Sequence, residues 1–267
     1  MASTLSSVPS SALPPAGTST GPAPIADPPL AERGTTLHET VRSASWSARG
    51  VTKVVGSVDI GRGELEGFVV VGGALSADHL SVRGTLEVLG TLTVREELSV
   101  HGTLHVGAAV HAGEAAVSGS VRADGPVTIE RRLVGRGGLS APAVTALEIH
   151  LGGTVRVPGE LRAGTIDIEL ADGSELGVVV GRTVRLVGPE GGMVDRLLGR
   201  FRRARITRVE AEAAELDRVE ARTVVGREVL LGRETHVVLL DAATLRAHPT
   251  SRVGPESRSP PPRGLRR

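Results

Sequence analysis

The sequence predicts an all-β protein built as a three-faced solenoid of short parallel strands. The first observation is a six-residue repeat between Gly84 and Gly107, which reads GTLEVL, GTLTVR, EELSVH and GTLHVG. Each unit carries two apolar residues at i and i+2, which share one face of a strand. The second observation is the composition, since 40% hydrophobic but only 1% aromatic residues favour a narrow interior of Val, Leu, Ile and Ala. Units this short bury a core only by coiling and stacking.

The repeat length also predicts which residues stack. Three six-residue strands per turn would bring residues eighteen apart to the ~4.8 Å spacing of paired strands. The expected neighbours are Leu86 and Leu104, Val88 and Val106, Thr85 and Thr103, and Glu87 and His105. We expect burial of Leu86, Val88, Leu92, Val94, Leu104 and Val106. The whole repeat region predicts about ten turns and a rod roughly 48 Å long.

Composition excludes several classes of site. The 267 residues carry a formal net charge of +1 and no cysteine, so disulfides, thiolate metal sites and cysteine nucleophiles are absent. No stretch approaches the ~18 apolar residues of a membrane-spanning helix, and no charged segment followed by an apolar run indicates a signal peptide. We therefore expect a cytoplasmic protein.

The first fifty residues are expected to lie outside the solenoid. Residues 1–34 are rich in Ser, Pro, Ala and Gly and bury too little apolar surface to offset the entropy of ordering, so we expect a disordered tail. Residues 35–50 allow two interpretations, a short helix or a partly ordered linker. The helix is suggested by Thr36 and Glu39 at capping-box spacing and by Leu37 and Val41 four residues apart.

The solenoid is expected to span residues 51–247 with one interruption. Apolar pairs run with slips from Val54 to Val187, and beyond the interruption they recur every five residues. One inward position would hold Val209, Ala214, Val219, Val224 and Val229, and the other Ala211, Leu216, Ala221, Gly226 and Leu231. Both five- and six-residue strands are therefore predicted.

The interruption at 188–208 is expected to be a basic loop inserted at a corner of the solenoid. Leu197, Leu198 and Phe201 would share one face of a short helix, next to Arg200, Arg202 and Arg203. One hypothesis is contact with an anionic membrane surface or a partner protein. The other is that the apolar face covers the solenoid itself. The Pro-rich, basic segment from His248 to Arg267 is expected to be a second disordered tail.

No cluster of residues predicts catalysis or a cofactor. His101, His105 and His111 are potential metal ligands, but on a three-sided coil they fall at a corner or on different outer faces. The glycine-rich run Gly61–Gly67 leads into a strand, so it lacks the helix N-terminus of a phosphate-binding loop. We therefore expect no metal, no cofactor and no enzymatic activity.

The repeats and the flanking tails resemble those of one protein family. The G-T-L-x-V-x ladder, the segment RVEARTVVGREVLLG at Arg218–Gly232 and the Pro-rich tails are similar to the bactofilin-type, polymer-forming cytoskeletal proteins. The resemblance covers roughly residues 54–247. It implies a right-handed parallel β-helix that polymerises end to end, without nucleotide, into nonpolar filaments. Such filaments scaffold other proteins, often at the inner membrane surface. This chain differs in its longer solenoid and its basic insertion.

The sequence thus predicts a scaffold protein that assembles through its ends. Uncapped end coils would expose unpaired backbone groups over an apolar core, which is a template for strand addition. We expect Val58 and Ile60 in one end coil and Val237 and Leu239 in the other. The expected partners are further copies of the chain, with an anionic membrane surface or client proteins as candidates and no specific nucleic acid. Two alternatives stay open: a monomeric adaptor that binds partners along its flanks, and a carbohydrate-active β-helix enzyme.

Overall fold

The predicted all-β solenoid is confirmed. The computed structural model describes residues 30–190, 204–255 and 263–264, with side chains for 37–190 and 204–255. These residues form one 16-stranded parallel sheet that winds into about 12 turns, and no helix occurs among them. The strands are β1 Leu30–His38, β2 Val41–Val54, β3 Val58–Val71, β4 Leu75–Val88, β5 Leu92–Val106, β6 Val110–Ala123, β7 Val127–Ile129, β8 Arg132–Ser140, β9 Val144–Thr145, β10 Glu148–Leu170, β11 Glu175–Val187, β12 Ala204–Asp217, β13 Val219–Leu231, β14 His236–Ala247, β15 Arg252–Val253 and β16 Arg263–Gly264.

Each coil has three faces separated by corners, and β5 shows them most clearly. Face A is Leu92–Val94, face B is Glu97–His101 and face C is Thr103–Val106. Each face of this coil turns two apolar side chains inward, and all of them are buried. We number the first coils after their strands, so β1 to β6 form coils 1 to 6.

The predicted stacking is confirmed between coils 4 and 5. Leu86 pairs with Leu104, Val88 with Val106, Thr85 with Thr103 and Glu87 with His105. The six central residues expected in the core are all buried. Coils 2 to 4 are spaced by seventeen residues instead, because their corners are shorter. After the insertion the turn from β12 to β13 shortens to fifteen residues, as the five-residue units predict: Val209 pairs with Val224 and Ala214 with Val229. The next turn, from β13 to β14, has sixteen residues.

Backbone hydrogen bonds have a fixed direction along the rod. Inward-facing residues bond towards the following coil: the N–H of Val58 donates to Ala74 and that of Leu75 to Thr91, while the carbonyl of Val71 accepts from Leu89. Neighbouring residues of a parallel strand direct their backbone groups to opposite sides. Outward-facing residues therefore bond towards the preceding coil.

A column of stacked glycines builds the corner between faces B and C. Its members have φ angles between 105° and 142°: Gly50, Gly67, Gly84, Gly102, Gly119, Gly137 and Gly153. Each one pairs with the glycine of the neighbouring coil. A Cβ atom on Gly102 would lie 2.1 Å from the carbonyl oxygen of Gly84. Only glycine fits this corner, both in backbone angle and in space.

The predicted N-terminal boundary at residue 51 is wrong. The solenoid begins by Leu30, and residues 35–38 and 41–50 are strand instead of helix or linker. Trp46 is only 1% exposed and stacks beside Gly63 in an inward column. The largest side chain of this column therefore lies next to a glycine, which has no side chain. Pairing across coils overrides the four-residue spacing that suggested a helix. With about 12 turns at ~4.8 Å each, the rod is about 58 Å long.

The insertion is shorter than predicted, and part of the C-terminal tail belongs to the sheet. Ala204 and Ile206 are buried and pair with Val219 and Leu176, so residues 204–208 are solenoid and not loop. β15 and β16 both pair with β14, which contradicts the expected disorder at these positions. Residues 1–29, 191–203, 256–262 and 265–267 lie outside the described residues, and the expectations for them stay predictions.

Candidate assembly surfaces

β1 forms the N-terminal end of the described solenoid. It pairs with β2 along its length, and no strand among the described residues pairs with its other edge. The carbonyl of His38 accepts a hydrogen bond of 2.9 Å from the N–H of Val55 in coil 2. Because adjacent residues point to opposite sides, the N–H and C=O of Leu37 face the open edge. The Leu37 side chain is 70% exposed.

The prediction that Val58 and Ile60 lie in an end coil is wrong. Both are buried in β3, which pairs with β2 on one side and with β4 on the other. The repeat was hard to recognise before Val54 because coil 2 departs from the Val and Leu pairs. Its inward columns hold Ser43 where coil 3 has Ile60, and Trp46 where coil 3 has Gly63.

β14 is the last long strand at the C-terminal end. Its inner edge pairs with β13, and its outer edge pairs with β15 at His236–Val237 and with β16 at Arg246–Ala247. The inward side chains of Leu240, Ala242 and Leu245 are buried. The apolar interior is therefore covered at this end of the described solenoid.

The two residues predicted for this end, Val237 and Leu239, differ in burial. Val237 is completely buried between Ala221 of β13 and Val253 of β15, so it does not lie at an open end. Leu239 also lies in β14, but its side chain points outward, since it is 36% exposed and the next buried residue is Leu240. A corner follows Val237 and lengthens the spacing between inward residues from two to three. The period of two holds only within a face.

The basic insertion leaves the solenoid at the corner between faces B and C, after Gly188. Arg218 anchors this exit, since its Nη1 donates to Glu190 Oε1 at 2.9 Å and its Nε donates to the Gly188 carbonyl at 3.1 Å. The residues predicted for membrane or partner contact lie outside the described residues: Leu197, Leu198, Arg200, Phe201, Arg202 and Arg203. Both hypotheses for them stay predictions.

A groove of about 470 Å³ crosses face B at β5, β6, β8 and β10. The inward column of this face runs from Val100 through Val117 and Gly135 to Leu151. Gly135 contributes no side chain, and Val117 and Leu151 are only partly buried. The groove therefore has an apolar floor where the column is thinnest. Sequence reasoning missed it, although the glycine in an inward position is visible in the sequence.

The rim of the groove carries charges without an arrangement for covalent catalysis. Asp167 Oδ1 accepts a hydrogen bond from Arg185 Nη1 at 3.1 Å, and His150 Nδ1 lies 3.9 Å from Asp167 Oδ2. Ser118 stacks in register with His101, but no hydrogen bond between Ser118 and a base occurs among the described residues. Such a groove can bind a partner through ion pairs over an apolar floor.

The three candidate metal ligands diverge, as predicted. His101 lies on face B, His105 on face C and His111 on face A. In the part of the chain that the structure describes, no three His, Asp or Glu side chains gather so that they could hold a metal ion.

Comparisons of the chain with protein-family models, with curated proteins and with solved structures find no match. The resemblance to the bactofilins therefore stays a prediction. Across residues 30–190 and 204–255, the structure contains no helix of the length and apolarity that crossing a membrane requires.

Proposed function

We propose that the protein is a non-enzymatic scaffold whose copies add end to end into filaments. The observation that carries this proposal is the outer edge of β1, which has no strand partner among the described residues. Exposed strand edges recruit further strands, and most proteins block them. In a solenoid, a docked copy extends the ladder of hydrogen bonds by one more turn.

The proposed role in the cell is a filament that positions client proteins in the cytoplasm or at the inner membrane surface. The support is the resemblance of the repeat pattern to that of the bactofilins, together with the parallel solenoid itself. No nucleotide or cofactor is required, because backbone hydrogen bonds and apolar contacts are sufficient to form the joint. The chain itself is thus the main partner.

Electron microscopy of the purified protein tests the proposal directly. We expect filaments of uniform width with an axial repeat of about 58 Å, and a 4.8 Å fibre reflection along the filament axis because the strands run across it. Sedimentation velocity over a concentration series should show growth. A protein that stays monomeric at high concentration in low and high salt would overturn the proposal. The adaptor hypothesis, with the face B groove as its binding surface, would then replace it.

Leu37→Pro is expected to block growth at the β1 edge. Proline removes the N–H that faces the open edge and places its ring where the next strand would pair, while edge strands tolerate it. The loss of one ladder hydrogen bond, about 1.4 kcal/mol per joint, corresponds to roughly a tenfold rise in the critical concentration. Leu37→Ala is the matched control, because it shortens the same side chain and keeps the N–H. Equal filament growth in both variants would show that β1 is not part of the joint.

A further inference from the structure

Face C of the first coils carries an apolar surface that the core does not use. Its outward residues include Val51, Phe68 and Val70, with Leu37 in coil 1. Val55 and Leu89 adjoin them at the next corner and are 58% and 54% exposed, and Phe68 is 43% exposed. Farther along the rod the same two columns become polar: Thr103, His105, Ser120 and Arg122. The surface, which we call the face C patch, is therefore confined to coils 1–4.

The size of the face C patch indicates a binding surface. Six large apolar side chains lie side by side, and their exposed area is on the order of 500 Å², a size at which apolar patches on soluble proteins mark interaction sites. The two outward columns sit on a rigid sheet, so the patch is preformed. An extended apolar face on one sheet most readily packs against another sheet.

Two unpaired charges lie within this surface. Lys53, Val70 and Glu87 follow one another in a single outward column of coils 2, 3 and 4. Neither Lys53 nor Glu87 forms an ion pair with another described residue. Neighbouring charged columns are paired, as in Arg49 with Glu66 at 2.9 Å and Arg83 with Glu66 at 3.2 Å. Lys53 and Glu87 can therefore form ion pairs with another molecule. They lie one coil before and one coil after Val70 in the same column.

We propose that the face C patch binds the same patch of a second copy, with the two rods antiparallel. A two-fold axis through coil 3, perpendicular to the rod, places Phe68 and Val70 against the same residues of the second copy. The same axis places Lys53 opposite Glu87 of the second copy, and Glu87 opposite Lys53. Such an interface is self-complementary, as a two-fold contact requires.

The corner residues obey the same symmetry. Val55, Gly72 and Leu89 occupy equivalent positions in coils 2, 3 and 4, since each donates its N–H to the preceding coil, to His38, Val54 and Val71 respectively. The axis through coil 3 therefore brings Val55 against Leu89 of the second copy, with the glycine at the centre. Apolar residues meet apolar residues at the edge of the contact as well as in its middle.

The charges select the antiparallel arrangement over the parallel one. Parallel rods would place Lys53 opposite Val51 of the second copy and Glu87 opposite Thr85. Both charges would then be removed from water without a partner, which is costly. The antiparallel pair buries about 1,000 Å² in total, at the low end for a specific interface. The contact is therefore weak in solution and is strengthened where copies are aligned repeatedly.

This pairing does not depend on end-to-end growth, and the two are measured separately. Below the critical concentration for growth along the rod, sedimentation equilibrium of the wild-type protein should show a monomer–dimer equilibrium. If filaments form, loss of the pairing should halve their mass per length without shortening them. A wild-type protein that forms no filament but dimerises would overturn only the proposed function.

Site-directed cross-linking tests the geometry, and the cysteine-free chain is suited to it. With a short bis-maleimide reagent, Val70→Cys should link to itself across the axis. Lys53→Cys and Glu87→Cys should each link to the other when mixed, but not to themselves. Thr103→Cys, in the polar part of face C, is the control and should not link. Self-linking of both Lys53→Cys and Glu87→Cys would overturn the antiparallel arrangement. If Val70→Cys and the mixed variants link no more strongly than the Thr103→Cys control, the pairing itself would be overturned.

A charge exchange and one apolar change test the contacts themselves. Lys53→Glu or Glu87→Lys alone should raise the dimer dissociation constant at least fivefold, and the two combined should restore it to within about twofold.

Phe68→Thr should raise the dimer dissociation constant at least tenfold. Its melting temperature should be unchanged, because Thr85 and Thr103 occupy the same column in coils 4 and 5. An unchanged dimer in Phe68→Thr would overturn the proposal. So would Phe68-dependent sedimentation of a monomer with phosphatidylcholine–phosphatidylglycerol vesicles, which would assign the patch to a membrane.

Discussion

Replacement of Gly102 by alanine is expected to destabilise the solenoid by about 2–4 kcal/mol. The backbone of Gly102 has a φ of 138°, and a Cβ atom there would lie 2.1 Å from the carbonyl oxygen of Gly84. Neither the angle nor the contact can relax locally, because the glycines of the adjacent coils are stacked directly against it. Thermal and urea unfolding, followed by circular dichroism, measure the loss.

Gly152→Ala is the matched control for this prediction. Gly152 lies one residue before the last glycine of the column, its φ is unremarkable, and the nearest atoms to a new Cβ are Arg136 Cγ at 3.6 Å and Glu169 Oε2 at 3.9 Å. We expect an unchanged or slightly higher melting temperature, since alanine lowers the entropy of the unfolded chain. Similar destabilisation by both substitutions would contradict the stacked-glycine corner.

Trp46→Ala is expected to cost about 3–5 kcal/mol of local stability. The indole is buried in coil 2 beside Gly63, so its removal leaves a cavity in the core. Because the stability of stacked repeats is a sum of local terms, the loss should appear first in the N-terminal coils. Hydrogen exchange should accelerate in β1–β3 and remain slow in β10–β13. Phe68→Thr, which removes an exposed aromatic ring from the next coil, is the comparison and should leave exchange unchanged.

Fluorescence gives an independent measure of the same coil. Trp46 is the only tryptophan of the chain, so the native emission reports on coil 2 alone. We expect a blue-shifted maximum and little quenching by acrylamide, with a red shift on unfolding. Red-shifted emission in the native protein would instead support the linker interpretation of residues 35–50.

The inward residues of coils 4 and 5 were predictable because their signal is local. Leu86, Val88, Leu104 and Val106 follow a period of two within each unit and a fixed spacing between units, so burial and register both follow from one repeat. The fifteen-residue turn from β12 to β13 was predictable for the same reason. No equally local signal marks coil 2, where Trp46 and Ala48 fill the positions that Gly63 and Leu65 fill in coil 3.

The candidate assembly surfaces were less predictable than the core. No feature of the sequence marks the corner after Val237, where the spacing between inward residues lengthens from two to three. The face C patch was missed because the run Phe68–Val71 was interpreted only for its inward members, although its outward residues are also apolar. The face B groove depends on Gly135 lying between Val117 and Leu151, which are distant in sequence.

By itself the sequence determined the fold class, the inward residues of the regular coils and the two unit lengths. These follow from alternation within a strand, which involves neighbours two residues apart. The tertiary structure alone decided where the solenoid ends, which corners lengthen and which outward residues form a continuous surface. Those features depend on contacts between residues fifteen or more positions apart, and a short sequence pattern does not encode how one coil lies on the next.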